Sequence, residues 1–144
     1  MKEIKKLLLC VDATEESQRA IDAAVALAQL SGAAIIAVNV VNRNVVTHLS
    51  RLGDKTLAEI EIDLEENGWR YLYAAEEQGK NAGAHIMILQ EQGYPEEILP
   101  RLAGQYEADM VIVAQSAEAR RDMTRRRGTE QIIEHAPCAV LIVK

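Results

Sequence analysis

Five arginines fall within eight residues: Arg120, Arg121, Arg125, Arg126 and Arg127. A guanidinium is a planar fork of donors that grips a carboxylate or phosphate through two parallel hydrogen bonds. Clustered cations also repel one another. An anion held by Arg125, Arg126 and Arg127 is therefore one expectation, and a solvated loop balancing nearby acids is the other. Gly128-Thr129 follows directly. Glycine lets backbone N–H groups approach an anion closely, and Thr129 also reads as a helix N-cap. Asp12 closes the first apolar run and offers an acceptor-only carboxylate. The other reactive types point away from catalysis. Cys10 and Cys138 lie in apolar runs without metal-ligand spacing, and read as inert core thiols of a reducing compartment. His85 and His135 gain no Ser or Cys partner from the expected topology, and His48 sits in a polar stretch that gives it no role. No catalytic residue and no metal site is expected.

These residues must be positioned by strands and helices that the apolar pattern marks out. Ile4 to Val11 reads as a buried strand, followed by a helix with Thr14 as N-cap and Glu15 and Glu16 in its first turn. Ala20, Ile21, Ala24, Val25, Leu27 and Ala28 form a stripe of helical period, and Ser31-Gly32 ends it. Ala33 to Val41 is a second buried strand. Residues 42–53 are polar and read as irregular, with Val45-Val46 as an anchor. A long helix is expected from about Asp54 to Asn81, although 57–64 also alternates like a strand and Asn67-Gly68 is its weak point. His85 to Leu89 is a third strand. Gly93-Tyr94-Pro95 turns into a helix that continues through Leu102, Ala103 and Tyr106, with Pro95 suited to the first helical position and Pro100 in its first turn or at a bend. Met110 to Val113 is a fourth strand. Ala114 to Gly128 is a loop, a short helix carries Ile132 and Ile133, and Ala139-Val140-Leu141-Ile142-Val143 is the last strand. Alternating buried strands and helices mean an α/β, doubly wound parallel sheet with helices on both faces. Such sheets receive ligands beyond the carboxyl ends of their strands, which puts Ala114 to Gly128 at the mouth of any site.

The 144 residues suit a single domain over 1–144, and 49% hydrophobic content with no Phe implies an aliphatic core. A net charge of −6 argues against nucleic acid as a partner. The run Leu7 to Val11 is too short for a signal-peptide core, and no stretch is long enough to span a bilayer. No membrane partner and a cytoplasmic location are expected.

Several segments together resemble one family. Leu8-Leu9-Cys10-Val11-Asp12 with Thr14-Glu15-Glu16-Ser17 is similar to the opening of the universal stress protein family, within the adenine-nucleotide α hydrolase-like superfamily. Gly93-Tyr94-Pro95-Glu96-Glu97-Ile98 resembles its Gly-x-Pro-x-x-x-Ile turn. Ala108 to Val113 and His135-Ala136-Pro137-Cys138 through Val143 are similar to its last two strands. The resemblance implies a five-stranded sheet of order 3-2-1-4-5 and homodimers paired along the last strand, here Ala139 to Val143. It also implies a nucleotide site with Asp12 turned toward the nucleotide and the backbone of Val40 against adenine. ATP-binding members carry G-x-x-G, nine residues, then G-[ST] after the fourth strand. Here Ala114 and Ala117 take the two Gly positions, and Gly128-Thr129 fits the final pair only with one residue inserted.

Three function classes follow. The favoured one is a stress-response regulatory dimer with a degenerate nucleotide loop, no tight ATP binding and no required cofactor. The alternative is an ATP- or AMP-binding member with a rearranged, arginine-rich phosphate loop. An enzyme is the least favoured. A superfamily pyrophosphatase needs a Ser-Gly-Gly-type loop where Val11-Asp12-Ala13-Thr14 stands, and a phosphoacceptor receiver needs paired acids where only Asp12 is present.

Overall fold

Leu7, Leu8 and Leu9 are all fully buried, which requires a strand covered on both faces. A computed structural model describes residues 3–144, with only the backbone of Glu118 and Ala119, and places these leucines in the central strand β1 (Lys6–Cys10). There follow α1 (Glu15–Ser31), β2 (Ala34–Asn42), α2 (Arg43–Leu52), α3 (Leu57–Asn81) and β3 (Ile86–Gly93). The chain then forms α4 (Pro95–Gln105), β4 (Met110–Ala114), α5 (Ala117–Arg121), α6 (Met123–His135) and β5 (Ala139–Val143). The five strands are parallel in the order β3-β2-β1-β4-β5, as expected.

Side chains of a strand alternate between faces, and the core divides accordingly. Leu7, Leu9, Ile35, Ala37 and Ile112 pack with Ala20, Ala24 and Ala28 of α1 and Leu72 and Ala75 of α3. Leu8, Ile36, Val38, Val111 and Val113 face the other way, against Ile98, Leu99 and Leu102 of α4 and Ile132 of α6. Caps fix the helix starts. Thr14 accepts from the Ser17 amide at 3.2 Å, and Gly32 ends α1 with the left-handed φ of 76°.

Four expectations are corrected. Most of 42–53 is helical, as α2: the Asn42 side chain caps it by accepting from the Asn44 amide at 3.0 Å, and Val46 anchors it against Val41 and Ile60. The helix expected from Asp54 begins at Leu57, capped by Thr56, and runs unbroken through Asn67-Gly68. The third strand extends beyond Leu89 to Gly93, in register with β2 throughout. The segment expected as an arginine loop contains α5 and the start of α6. Asp122 is the N-cap of α6, so Thr129 lies inside it and donates from Oγ1 to the Arg125 carbonyl at 3.2 Å.

Candidate functional site

In this strand order, β1 continues on one side through α1 to β2 and is flanked on the other by β4, so the order in which strands are added reverses between β1 and β4 while all strands stay parallel. In sheets of this kind, ligands bind outside the carboxyl ends of the strands at such a switch point. Asp12 follows β1 and Ala114 ends β4. Val40, half-buried, lies near the end of β2. The elements thus bring Asp12, Val40 and Ala114 to one edge of the sheet.

Asp12 is held tightly. Its Oδ1 accepts from the Thr14 amide at 2.9 Å and from Thr14 Oγ1 at 2.6 Å. Its own amide donates to Ser17 Oγ at 3.0 Å, and the preceding carbonyl, of Val11, accepts from Asn39 Nδ2 at 2.9 Å. Asn39 Oδ1 accepts in turn from Gln90 Nε2 at 3.2 Å, which also donates to the Glu65 carbonyl of α3 at 2.9 Å. Gln92 Nε2 reaches the Glu65 carboxylate.

The segment after β4 is largely helical, with α5 and the start of α6. Left-handed φ values among the described residues fall at Gly32, Gly83, Gly93 and Glu107, all outside it. Ala117 opens α5. The Asp122 carboxylate accepts from the amides of Thr124 (2.9 Å) and Arg125 (3.3 Å), two of the donors that a helix N-terminus would otherwise turn toward an anion. Arg125, Arg126 and Arg127 occupy successive positions of α6, about 100° apart around its axis. They fan outward, all exposed, with Arg125 Nε 4.0 Å from Asp122 Oδ2. Gly128 faces α4: a Cβ there would stand 3.8 Å from Glu96 Oε2.

The cysteines are poor nucleophiles. Burial, and secondarily the Asp12 charge, pushes the Cys10 thiol far up, and burial with Asp109 raises Cys138. His135 Nδ1 lies 2.9 Å from the Gln131 carbonyl, a helical-turn contact. No group of three His, Cys, Asp or Glu suited to a metal occurs among the described residues. Ser17, Asn39, Gln90 and Asp122 were not singled out from sequence. Asn39 had a signal, a lone amide in an otherwise apolar run from Ala33 to Val41. Asp122 had another, as a capping residue hidden among arginines.

The sequence matches the universal stress protein family over residues 3–144. A Staphylococcus aureus (strain USA300) protein bearing that family's name is 28% identical over 145 residues, spanning 97% of this chain and 84% of the relative. Among solved structures, a universal stress protein from Lactobacillus plantarum superposes with a TM-score of 0.82 at 18% identity, covering 100% of both chains. A universal stress protein in complex with cAMP gives 0.72 at 20% identity, covering 99% of this chain and 98% of that one. One from Archaeoglobus fulgidus in complex with dAMP gives 0.68 at 16%, over 100% of both. At these identities the structural likeness establishes the shared fold.

Proposed function

Since this chain belongs to the universal stress protein family, we propose that it is a stress-response regulatory module, not an enzyme, whose strand-end crevice does not grip ATP tightly. Asp12 and the β2 backbone at Val40 form the nucleoside-facing half of that crevice. The observation that carries the reading is the Asp122 cap. A carboxylate occupies the Thr124 and Arg125 amides, and its charge repels the phosphate that would compete for them. Ala114 and Ala117 support it, since each methyl obstructs the close backbone approach that glycine permits. The relatives solved with cAMP and dAMP support nucleotide-type ligands as the class to test. Mass spectrometry of ligand released from natively purified, then denatured, protein tests the proposal. Little or no ATP is expected, and stoichiometric ATP would overturn it.

A second reading concerns the arginines. Arg125 and Arg126 complete the first turn of α6 and Arg127 begins the second, close to the end where the helix dipole disfavours cations. A weakly held anion relieves that conflict, through exposed side chains whose grip salt screens. Thermal shifts in phosphate, sulfate and chloride at matched ionic strength should differ for wild type and converge in Arg126→Ala/Arg127→Ala. Identical responses of the two proteins would refute it.

The module is also proposed to pair through β5. This strand lies at the sheet edge, and all five of its residues are half-buried in the single chain. The Val143 carbonyl accepts from the Gln115 amide at 2.8 Å, toward β4. Backbone groups alternate in direction, so those of Val140 and Ile142 point outward, an open edge that a symmetry mate would satisfy. Ile142→Pro deletes one outward donor and should yield monomer in sedimentation experiments. A dimer of undiminished stability would place the contact elsewhere.

A further inference from the structure

Among the described residues, the two buried polar side chains are Ser17 and Asn39, at 2% and 7% exposure. They come from different elements, α1 and β2, yet they converge on the two polar groups of one peptide, Val11–Asp12. Asn39 Nδ2 donates to its carbonyl at 2.9 Å, and Ser17 Oγ accepts its N–H at 3.0 Å. We propose that Ser17 and Asn39 are positioning residues, which fix the Asp12 carboxylate toward a nucleoside-type ligand in the strand-end crevice. The proposal rests on the reading of Asp12 as a ligand contact.

Two features distinguish this arrangement from ordinary capping. In a capping box the side chain at the third helical position returns to the N–H of the cap residue itself. Ser17 holds that position in α1, but it reaches past Thr14 to Asp12, and the Thr14 N–H is left to bind Asp12 Oδ1. The side chains of residues 12, 14 and 17 therefore close a ring, completed by the Ser17 amide on Thr14 Oγ1 at 3.2 Å. Its product is the orientation of one carboxylate.

The second feature is the demand that Asn39 makes on its neighbours. A buried amide is unfavourable unless both its ends are hydrogen-bonded. Oδ1 takes Gln90 Nε2, Gln90 takes the Glu65 carbonyl, and Gly68 must lack a side chain because a Cβ would lie 2.1 Å from Asn39 Oδ1. An apolar residue at position 39 would need none of these. What the amide adds is a donor to the Val11 carbonyl, one bond from Asp12. Rotation of that peptide plane swings the Asp12 side chain, so gripping both its ends sets where the carboxylate stands.

The test uses adenosine, which carries no phosphate and so does not report on the α5–α6 segment. It is titrated by NMR into the full chain as wild type, Ser17→Ala, Asn39→Ala and Asp12→Ala, with amide hydrogen exchange followed at Val11 and Asp12. Ser17→Ala should bind roughly tenfold more weakly, the scale of one lost hydrogen bond. The Asp12 amide should exchange faster while Val11, bonded to the Val38 carbonyl at 2.8 Å, stays protected and marks an intact fold. Asn39→Ala should weaken binding likewise; if it does not fold, Ser17→Ala decides. Wild-type affinity in Ser17→Ala while Asp12→Ala loses binding overturns the positioning role and leaves the site reading intact. If Asp12→Ala binds as wild type does, or wild type shows no binding at millimolar adenosine, the site reading fails and the proposal with it.

Discussion

Replacing Gly68 by Ala should destabilise this protein, against the usual sign for a glycine inside a helix. Removing a mid-helix glycine ordinarily gains about 1 kcal/mol. Here the added Cβ would stand 2.1 Å from Asn39 Oδ1 and 2.6 Å from Gln90 Nε2. Neither neighbour yields freely, because Asn39 is bonded at 2.9 Å to the Val11 carbonyl and Gln90 at 2.9 Å to the Glu65 carbonyl. Overpacking costs about 1–3 kcal/mol, and each buried polar group left unpaired about 1–3 kcal/mol more. With Asn39 the one buried group at risk, the net loss after the propensity gain is about 1–5 kcal/mol, or on the order of 10 °C in Tm near the middle of that range for a chain of this size. Urea unfolding followed by the fluorescence of Trp69, the single tryptophan, measures it. The double variant Gly68→Ala/Asn39→Ala isolates the contact: the added methyl should cost far less once the Asn39 side chain is gone, with a coupling of roughly 1.5 kcal/mol or more. If Gly68→Ala alone is as stable as wild type, or more so, then α3 does not seat on the Asn39–Gln90 pair and the reasoning fails.

Other expectations follow from single contacts. Asp109 Oδ2 accepts from the Lys5 and Lys6 amides at 2.7 and 3.0 Å, and these bonds hold its pKa below the ordinary 3.8. A depressed carboxyl stabilises above its unfolded pKa and loses that contribution as pH falls through the folded value. The Tm gap between wild type and Asp109→Asn should therefore be constant near neutrality and narrow as pH falls below about 4; a gap that does not narrow at all as the protein is acidified would contradict it. Glu107 holds the left-handed position after α4, φ 54°, with the Ala108 amide on the Ala103 carbonyl at 2.9 Å. Glycine suits that place, so Glu107→Gly should raise stability by about 0.5–1 kcal/mol in chemical denaturation, and a loss would count against the assigned turn. Asp122→Ala removes the α6 cap, which costs about 1 kcal/mol, and frees the Thr124 and Arg125 amides. Phosphate should then stabilise the variant more than it stabilises wild type in thermal melts; an equal response would mean the cap does not compete with anions.

The elements readable from sequence were those whose identity is written in local pattern. Buried strands such as Leu7-Leu8-Leu9 and Met110 to Val113 are continuous apolar runs, and α1 carries a regular stripe between Thr14 and Gly32. What escaped was decided by partners distant in the chain. The exception is α2, whose Val45, Val46, Leu49 and Leu52 do recur at helical spacing; only Val46 is buried, and the polar residues between them made the segment read as irregular. The strand β3 ends in Gln90-Glu91-Gln92 because it is an edge, paired with β2 on one side alone. Gly68 read as a weak point although a side chain from β2, Asn39, requires it. In the candidate site, Asp12 and Val40 could be named from family resemblance, but Ser17, Asn39 and Asp122 act through hydrogen bonds that no spacing announces. The arginines were visible as a cluster, and their arrangement around a helix was not.

The segment after β4 is proposed to serve as two helices, the second capped by Asp122, and not as a phosphate cradle. Isothermal titration of the protein with ATP and magnesium tests it most directly. Heat consistent with binding no tighter than high micromolar, or no heat at all, is the predicted result. Saturable binding at micromolar affinity or tighter would show that the Asp122-capped helix and the alanines at 114 and 117 do hold a triphosphate, and would contradict the account.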